Sequence, residues 1–259
     1  MTARLLVALV LVLTIVSTAS ITIISTGNKS EAEVSAAGAP AALDKTAIQE
    51  IIKSYLSENP DVIISAVMNA RTRQAAQGQA NAKETMSKRA DELYRDAGTP
   101  TFGNEKADVT VVLFHDYNCG YCKRVLPTLN TLLEEDPNLK VVIKDFPILG
   151  PASTDNAKAA VAAYALDKGK YWEFHSQLLK KSPRSRAQIL EAAASAGYDP
   201  EVLKVEMDKP KYQAQLQKNL DLGRELGITG TPATVINDEF VRGAVPIDDF
   251  RRVINKKRN

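Results

Sequence analysis

An α/β fold is predicted for residues 99–259, carrying an all-helical insertion over about 152–227 and preceded by an N-terminal helical region over 43–98. Three stretches predict it. VTVVLFH at 109–115 and LKVVIKDF at 139–146 are apolar runs of strand length, and the residues between them, from Cys119 to Leu133, repeat apolar side chains at helical spacing. That is a βαβ pattern, which places the two strands parallel and buried. The third stretch, ATVIN at 233–237, is followed by a turn at Asn237-Asp238-Glu239 and a second strand from Phe240 to Gly243. The order βαβ, helices, ββα folds as one body only if the helices cap one end of a shared sheet.

From the amino terminus, Arg4 followed by the apolar run Leu5 to Val16 is an export signal. Residues 1–25 read either as a cleaved signal, with Ser17-Thr18-Ala19 as a small-residue site, or as an inner-membrane anchor, since Leu5 to Ser25 carries no charge. Either way the rest of the chain faces an oxidising, periplasmic or extracytoplasmic compartment, where paired cysteines do disulfide work. Residues 26–42 are small, polar and aperiodic, a linker.

Two helices are expected next. Thr46-x-x-Gln49 has the form of a capping box before Ile48, Ile51, Ile52, Tyr55 and Leu56, and the helix stops at Asn59-Pro60. Asn59 and Pro60 then start a second helix running to about Ala97, closed by Gly98. Its apolar stripe, from Ile64 and Met68 through Ala82 and Met86 to Leu93, is too thin to build a core alone, so a homodimer or homotrimer joined through this stalk is expected. Gly78 is the expected bend, because glycine costs about 1 kcal/mol against alanine inside a helix.

The chemistry centres on Cys119-Gly120-Tyr121-Cys122, where strand hands over to helix. A thiol reacts as its thiolate, and the free N–H groups of a helix start favour negative charge, so Cys119 is the expected exposed, attacking sulfur. Cys122 lies one turn deeper and is placed to resolve a mixed disulfide at Cys119. Gly120 lets a substrate backbone come close, Tyr121 offers an apolar contact, and Lys123 and Arg124 add positive potential. A structural disulfide between such near neighbours would constrain little unfolded chain. Zinc needs about four ligands, against two Cys and two His here. After the second strand, Ser153 or Thr154 is the expected cap of the first insertion helix; later helices are expected at Tyr171 to Lys180, Ser185 to Ala196, Pro200 to Met207 and Pro210 to Leu226. His175 reads as a packed histidine beneath the insertion. Ile247 to Lys256 is a terminal helix ending in basic residues, as its dipole favours.

These residues resemble the thioredoxin superfamily, in its bacterial exported DsbA, DsbG and ScsC-like branch. The resemblance runs from about Phe102 to Lys257 and rests on FHDYNCGYCK, KDFPILG at 144–150, YWEFHSQLL and GITGTPATVIN. It implies a thioredoxin fold with an all-helical insertion, preceded by an N-terminal helical oligomerisation region. It implies that Pro232 is cis and faces Cys119, leaving the Thr231 backbone open to pair with a substrate strand. Many relatives bury a carboxylate six residues before the first cysteine as a proton relay; here that position is Leu113, and His115 and Asp116 are the nearby candidates. Gly-Tyr between the cysteines and Thr before the proline resemble the isomerases of the branch more than its oxidase DsbA, and exported isomerases are multimers joined by N-terminal segments.

The expected activity is therefore protein thiol–disulfide exchange, as a disulfide isomerase, with a DsbA-like dithiol oxidase as alternative and a copper-handling or surface interaction protein as an alternative of another class. Expected partners are exported client proteins with thiols or disulfides and a membrane thiol-redox partner. A formal charge of +2 on 259 residues gives no basic excess for nucleic acid, and no phosphate loop or bound organic cofactor or resident metal is implied.

Overall fold

A computed structural model describes residues 44–258; the expected signal or anchor and the linker lie outside them. Among the described residues no helix is long and apolar enough to cross a membrane.

The chain divides into two compact units, the first ending at Pro60. Its described part is helix α1, Lys45–Glu58. The cap is Asp44, whose carboxylate accepts from Ala47 N at 2.7 Å, so the helix begins ahead of the expected Thr46 box. Ile48, Ile51, Ile52 and Tyr55, one face at helical spacing, are all exposed.

Helix α2, Pro60–Lys88, belongs to the second unit from Asp61 onward. The helix passes straight through Gly78, where the surroundings are open and nothing forces a bend. It breaks instead at Arg89, which leaves helical geometry at φ −111°, ψ 30° before the short α3, Ala90–Tyr94. Arg89 is held there by ion pairs to Glu92 and, at 2.9 Å, to Glu225 from far along the chain. The expected stripe splits in two. Ala82, Met86 and Leu93 are buried in the core, while Ile64 and Met68 stay exposed, as do Ile63 and Val67 beside the stripe.

Strand β1, Thr101–Gly103, is a short edge without a pattern legible in the chain; β2 is Val109–His115, followed by α4, Gly120–Glu135, and β3, Leu139–Asp145. Five helices come next: α5 Pro151–Leu166, α6 Lys168–Lys181, α7 Arg186–Ser195, α8 Pro200–Glu206 and α9 Pro210–Glu225. Gly150, at φ 112°, caps α5 with Pro151 in its first turn, so Ser153 lies inside the helix and is free for another role. Strands β4, Ala233–Ile236, and β5, Glu239–Arg242, and helix α10, Ile247–Arg258, complete the chain.

The sheet order is β1-β3-β2-β4-β5, with β2 and β3 parallel and the other pairs antiparallel. Alternation along β2 serves two cores: Val109, Val111 and Leu113 pack with α4 and α10, while Val112 and Phe114 pack with Met86, Leu93 and Leu222. Burial on both faces explains why the strand reads as one apolar run. A third core lies within the insertion and takes in Tyr117, Cys119, Cys122 and Leu126. The cysteine segment is thus the seam between sheet and insertion.

Candidate active site

At the end of β2 the chain turns on Asp116. Cys119 N donates to Asp116 O at 3.0 Å and Cys122 N donates to Cys119 O at 3.1 Å, which makes Cys119 the N-cap of α4 and sets Cys122 one turn inside. Both cysteines carry free thiols. Cys119 is less open than expected: 7% of its surface is exposed, against 1% for Cys122, because the strand start at Thr231 covers it. Its thiol donates to the Thr231 carbonyl at 3.3 Å, and the Thr231–Pro232 bond is cis. Gly120 and Tyr121 lie on the open side; no atom approaches where a Gly120 side chain would stand, and Tyr121 is 60% exposed.

Burial pushes the Cys122 thiol far up from its ordinary value. The Asp116 backbone and the Thr231 hydroxyl act in the opposite direction, and the Cys119 sulfur adds to the rise. Cys122 is therefore held as a neutral thiol beside a more accessible partner.

His115 and Asp116 are brought near the pair, but neither side chain hydrogen-bonds to either sulfur among the described residues. The Asp116 carboxylate accepts three backbone amides, Asn118 N at 2.8 Å, Ile148 N at 2.9 Å and Leu149 N at 3.0 Å. It thereby fixes the loop after β3 beside the cysteine turn and presents the exposed side chains of Ile148 and Leu149 there. His115 is wholly buried, its Nε2 3.0 Å from Asp145 Oδ1 but off the line of a hydrogen bond. Burial raises the Asp145 carboxyl above its ordinary range, with the His115 ring opposing the rise.

Around this pair lies a polar cluster that the sequence did not reveal. Tyr117 hydroxyl meets His175 Nδ1 at 2.8 Å and Tyr171 hydroxyl at 3.3 Å, and the His115 and His175 rings stand edge to face at 5.0 Å. Burial holds His175 neutral, its pKa well below the usual histidine value, as the expected packed histidine. On the other side of β3, Lys144 donates to Thr99 Oγ1 at 2.9 Å and stands 3.7 Å from Asp96. Burial lowers its pKa to about 8, against the pull of Asp96. The available signal was the charged pair Lys144-Asp145 directly after the apolar run Val141 to Ile143 of a buried strand, since charges there need buried partners.

The insertion grips the cysteine turn from three sides. Ser182 Oγ donates to Tyr117 O at 2.8 Å, Asn118 Nδ2 donates to Ser153 Oγ at 3.0 Å, and Lys123 Nζ donates to Lys180 O at 3.2 Å. These bonds hold the helix start in a fixed relation to Thr231, which is what in-line sulfur exchange requires.

A dithiol pair at a strand-to-helix turn, faced by a cis-proline strand start on a mixed five-stranded sheet, defines the chain as a member of the thioredoxin superfamily. Residues 110–255 match the model of the DSBA-like thioredoxin domain, and the chain belongs to that family. A second model, the copper resistance protein ScsC N-terminal domain, matches residues 44–77. The chain is 27% identical to disulfide bond formation protein D of Bacillus subtilis over 171 residues, 62% of this chain and 77% of that protein. Among solved structures it is similar to the catalytic domain of Proteus mirabilis ScsC, with 34% identity, a TM-score of 0.62 and coverage of 68% of this chain and 97% of that one. A longer form, Proteus mirabilis ScsC in a transitional conformation, aligns over 82% of this chain and 95% of its own, at 31% identity and a TM-score of 0.63. The protein is a thiol–disulfide oxidoreductase of this type.

Proposed function

We propose that the protein is a periplasmic disulfide isomerase acting through Cys119 and Cys122, and that it works as a homo-oligomer. The observation that carries this reading is the exposed apolar surface of the N-terminal helices: Ile48, Ile51, Ile52 and Tyr55 in α1, and Ile63, Ile64, Val67 and Met68 in α2. Ordering helix costs about 1–2 kcal/mol per residue, and side chains left in water do not offset it, so a second copy of the same surface supplies the missing burial. The segment matched by the ScsC N-terminal model, residues 44–77, coincides with this exposed region and ends before Ala82 enters the core.

In the proposed reaction the Cys119 thiolate attacks a wrong disulfide in an exported client. A Cys119–client disulfide forms and one client thiolate leaves. A different client thiolate then attacks the client sulfur of that bond and Cys119 is released as thiolate, with no net change in oxidation state. Where this stalls, Cys122 loses its proton and attacks Cys119. The client leaves reduced by two electrons and the enzyme holds the Cys119–Cys122 disulfide, to be reduced again by a membrane thiol-redox partner. Thr231 and Pro232 receive the client backbone, and Gly120 and Tyr121 border the approach.

Light scattering on the exported chain, together with recovery of activity from a protein with scrambled disulfides, tests the reading. An oligomer that rearranges disulfides is expected; a monomer that only oxidises dithiols would shift the function to a DsbA-like oxidase. A second reading follows from the copper-resistance description of the N-terminal match: Cu(I) as cargo on the two soft thiolates. A Cu(I) titration of the reduced protein, lost in Cys119→Ala, would favour it.

A further inference from the structure

We infer that the face beside the redox pair docks an acidic segment of the polypeptide whose disulfide is exchanged there. This rests on the proposed exchange at Cys119. Lys123, in the first turn of α4, donates to the carbonyl of Lys180 at the end of α6, which brings Lys180, Lys181 and Arg184 onto the side of the cysteine turn. Ser182, between them, is tied to the Tyr117 carbonyl two residues before Cys119. Arg124 adjoins, its guanidinium 5.0 Å from the centre of the Tyr121 ring.

None of these five cations lies within 4.0 Å of a carboxylate among the described residues. The contrast begins two positions on, where Arg186 pairs with Asp208 at 2.7 Å and Asp155 at 3.7 Å. Two acids nearby do not neutralise the group. Asp116 is buried with its oxygens on three amides, and Glu173, two turns back on α6, is hydrogen-bonded to Gln177. Like charges left unpaired repel each other, and a chain with a formal charge of only +2 gathers them where an exchange partner must approach.

The partner's chemistry follows from what lies next to the patch. The acceptor sulfur is Cys119, and beside it is the Thr231 backbone, so the occupant is a polypeptide cysteine with chain on either side. Its charge is set by the patch: carboxylates within about one Debye length, about 8 Å at physiological salt, of that cysteine are attracted. Tyr121, with Arg124 against its ring, adds an apolar contact at the rim.

Three disulfide-bonded peptides that differ only in acidic, neutral or basic residues beside the cysteine test this. Their reduction by the reduced full chain is followed at low and high salt, each rate divided by the same peptide's rate with dithiothreitol, which removes the effect of the charges on the peptide's own reactivity. The acidic peptide is expected to react about tenfold faster than the neutral one at low salt, the ratio falling toward one at 1 M salt, where the Debye length is about 3 Å. A chain carrying Lys180→Glu, Lys181→Glu and Arg184→Glu is expected to reverse the order. A low-salt ratio near one, or a ratio that the charge reversal leaves unchanged, would overturn the inference; if the reversed chain does not fold, the salt dependence in the native chain decides. If the neutral peptide is not reduced at all, it is the exchange reading that fails. Flotation with phosphatidylglycerol vesicles, combined with a ratio near one, would assign the patch to a membrane surface instead.

Discussion

The Cys119 thiol donates to the carbonyl of Thr231 across 3.3 Å, joining residues 112 positions apart in the chain. Thr231 meets the pair twice, because its hydroxyl also favours the ionised form of the buried Cys122. Thr231→Val keeps the backbone contact and deletes the hydroxyl. A hydrogen bond to a charged group contributes about 1.5–3 kcal/mol, so attack by Cys122 on a mixed disulfide is expected to slow by about tenfold or more. Quenched-flow measurement of mixed-disulfide decay checks this. A large loss of folding stability with an unchanged decay rate would make Thr231 a packing residue only.

Cys119 is the more open of the two sulfurs and burial makes Cys122 costly to ionise, so their replacement is expected to have different effects. Cys122→Ala should accumulate a covalent enzyme–client complex through Cys119, visible on a non-reducing gel and dispersed by dithiothreitol. Cys119→Ala should give none, since Cys122 is sealed beneath it and held as a thiol. Equal trapping by the two variants would remove the assignment of roles.

Lys144 contributes a pH dependence of known sign. Burial lowers its pKa from 10.5 to about 8 in the folded chain. Between about pH 8 and 10.5 the unfolded chain therefore holds more protons than the folded one, and stability gains with rising pH across that window; below it the cost of burying the charge is fully present. The gain is about 3 kcal/mol at most, from roughly 1.4 kcal/mol per pKa unit. Urea unfolding from pH 7.5 to 10.5 should show this slope in the native chain and lose it in Lys144→Met. An identical slope in both would mean that Lys144 keeps its charge in place.

Much of the fold was legible because its chemistry is local. The apolar run at Val109 to Phe114, the two cysteines at a strand-to-helix junction and the Thr231-Pro232 pair at a strand start each carry their own signal. The features that escaped notice are set by distant partners. α2 ends at Arg89, whose guanidinium meets Glu92 and the distant Glu225, whereas Gly78, the residue with the weaker helix propensity, sits in open surroundings that ask nothing of it. Strand β1 is three residues long and exists through its pairing with β3. In the site, Cys119 and Thr231 were legible from a motif, but the grouping of His115, Asp145, Tyr117 and His175 draws on β2, β3 and α6 and has no spacing to read. Asp116 stood out as an acid near the cysteines; only the structure shows its oxygens committed to the amides of Asn118, Ile148 and Leu149.

The N-terminal helices give the prediction that bears most on function. Ile64 is 59% exposed and Met68 57%, one turn apart on α2, whereas Ala82 and Met86, farther along the same helix, are 3% and 4% exposed. Substituting the first pair leaves the packed part of the helix and the redox site untouched. Ile64→Glu with Met68→Glu places like charges on a surface proposed to meet its own copy, where every substitution is met by its equivalent and removal of charge from water is costly. The melting temperature of the catalytic unit is expected to stay within about 2 °C, as for exposed positions that change stability by no more than about 0.5 kcal/mol. Light scattering should show the oligomer reduced to monomers. Oxidation of a small dithiol should continue at the native rate, while rearrangement of scrambled disulfides falls by about tenfold, because sites no longer gathered around one client lose the effective concentration that lets a released thiol be recaptured. If the variant stays oligomeric, the contact lies elsewhere; if it becomes monomeric and rearranges disulfides as well as before, the exposed face of α2 joins subunits without serving isomerisation.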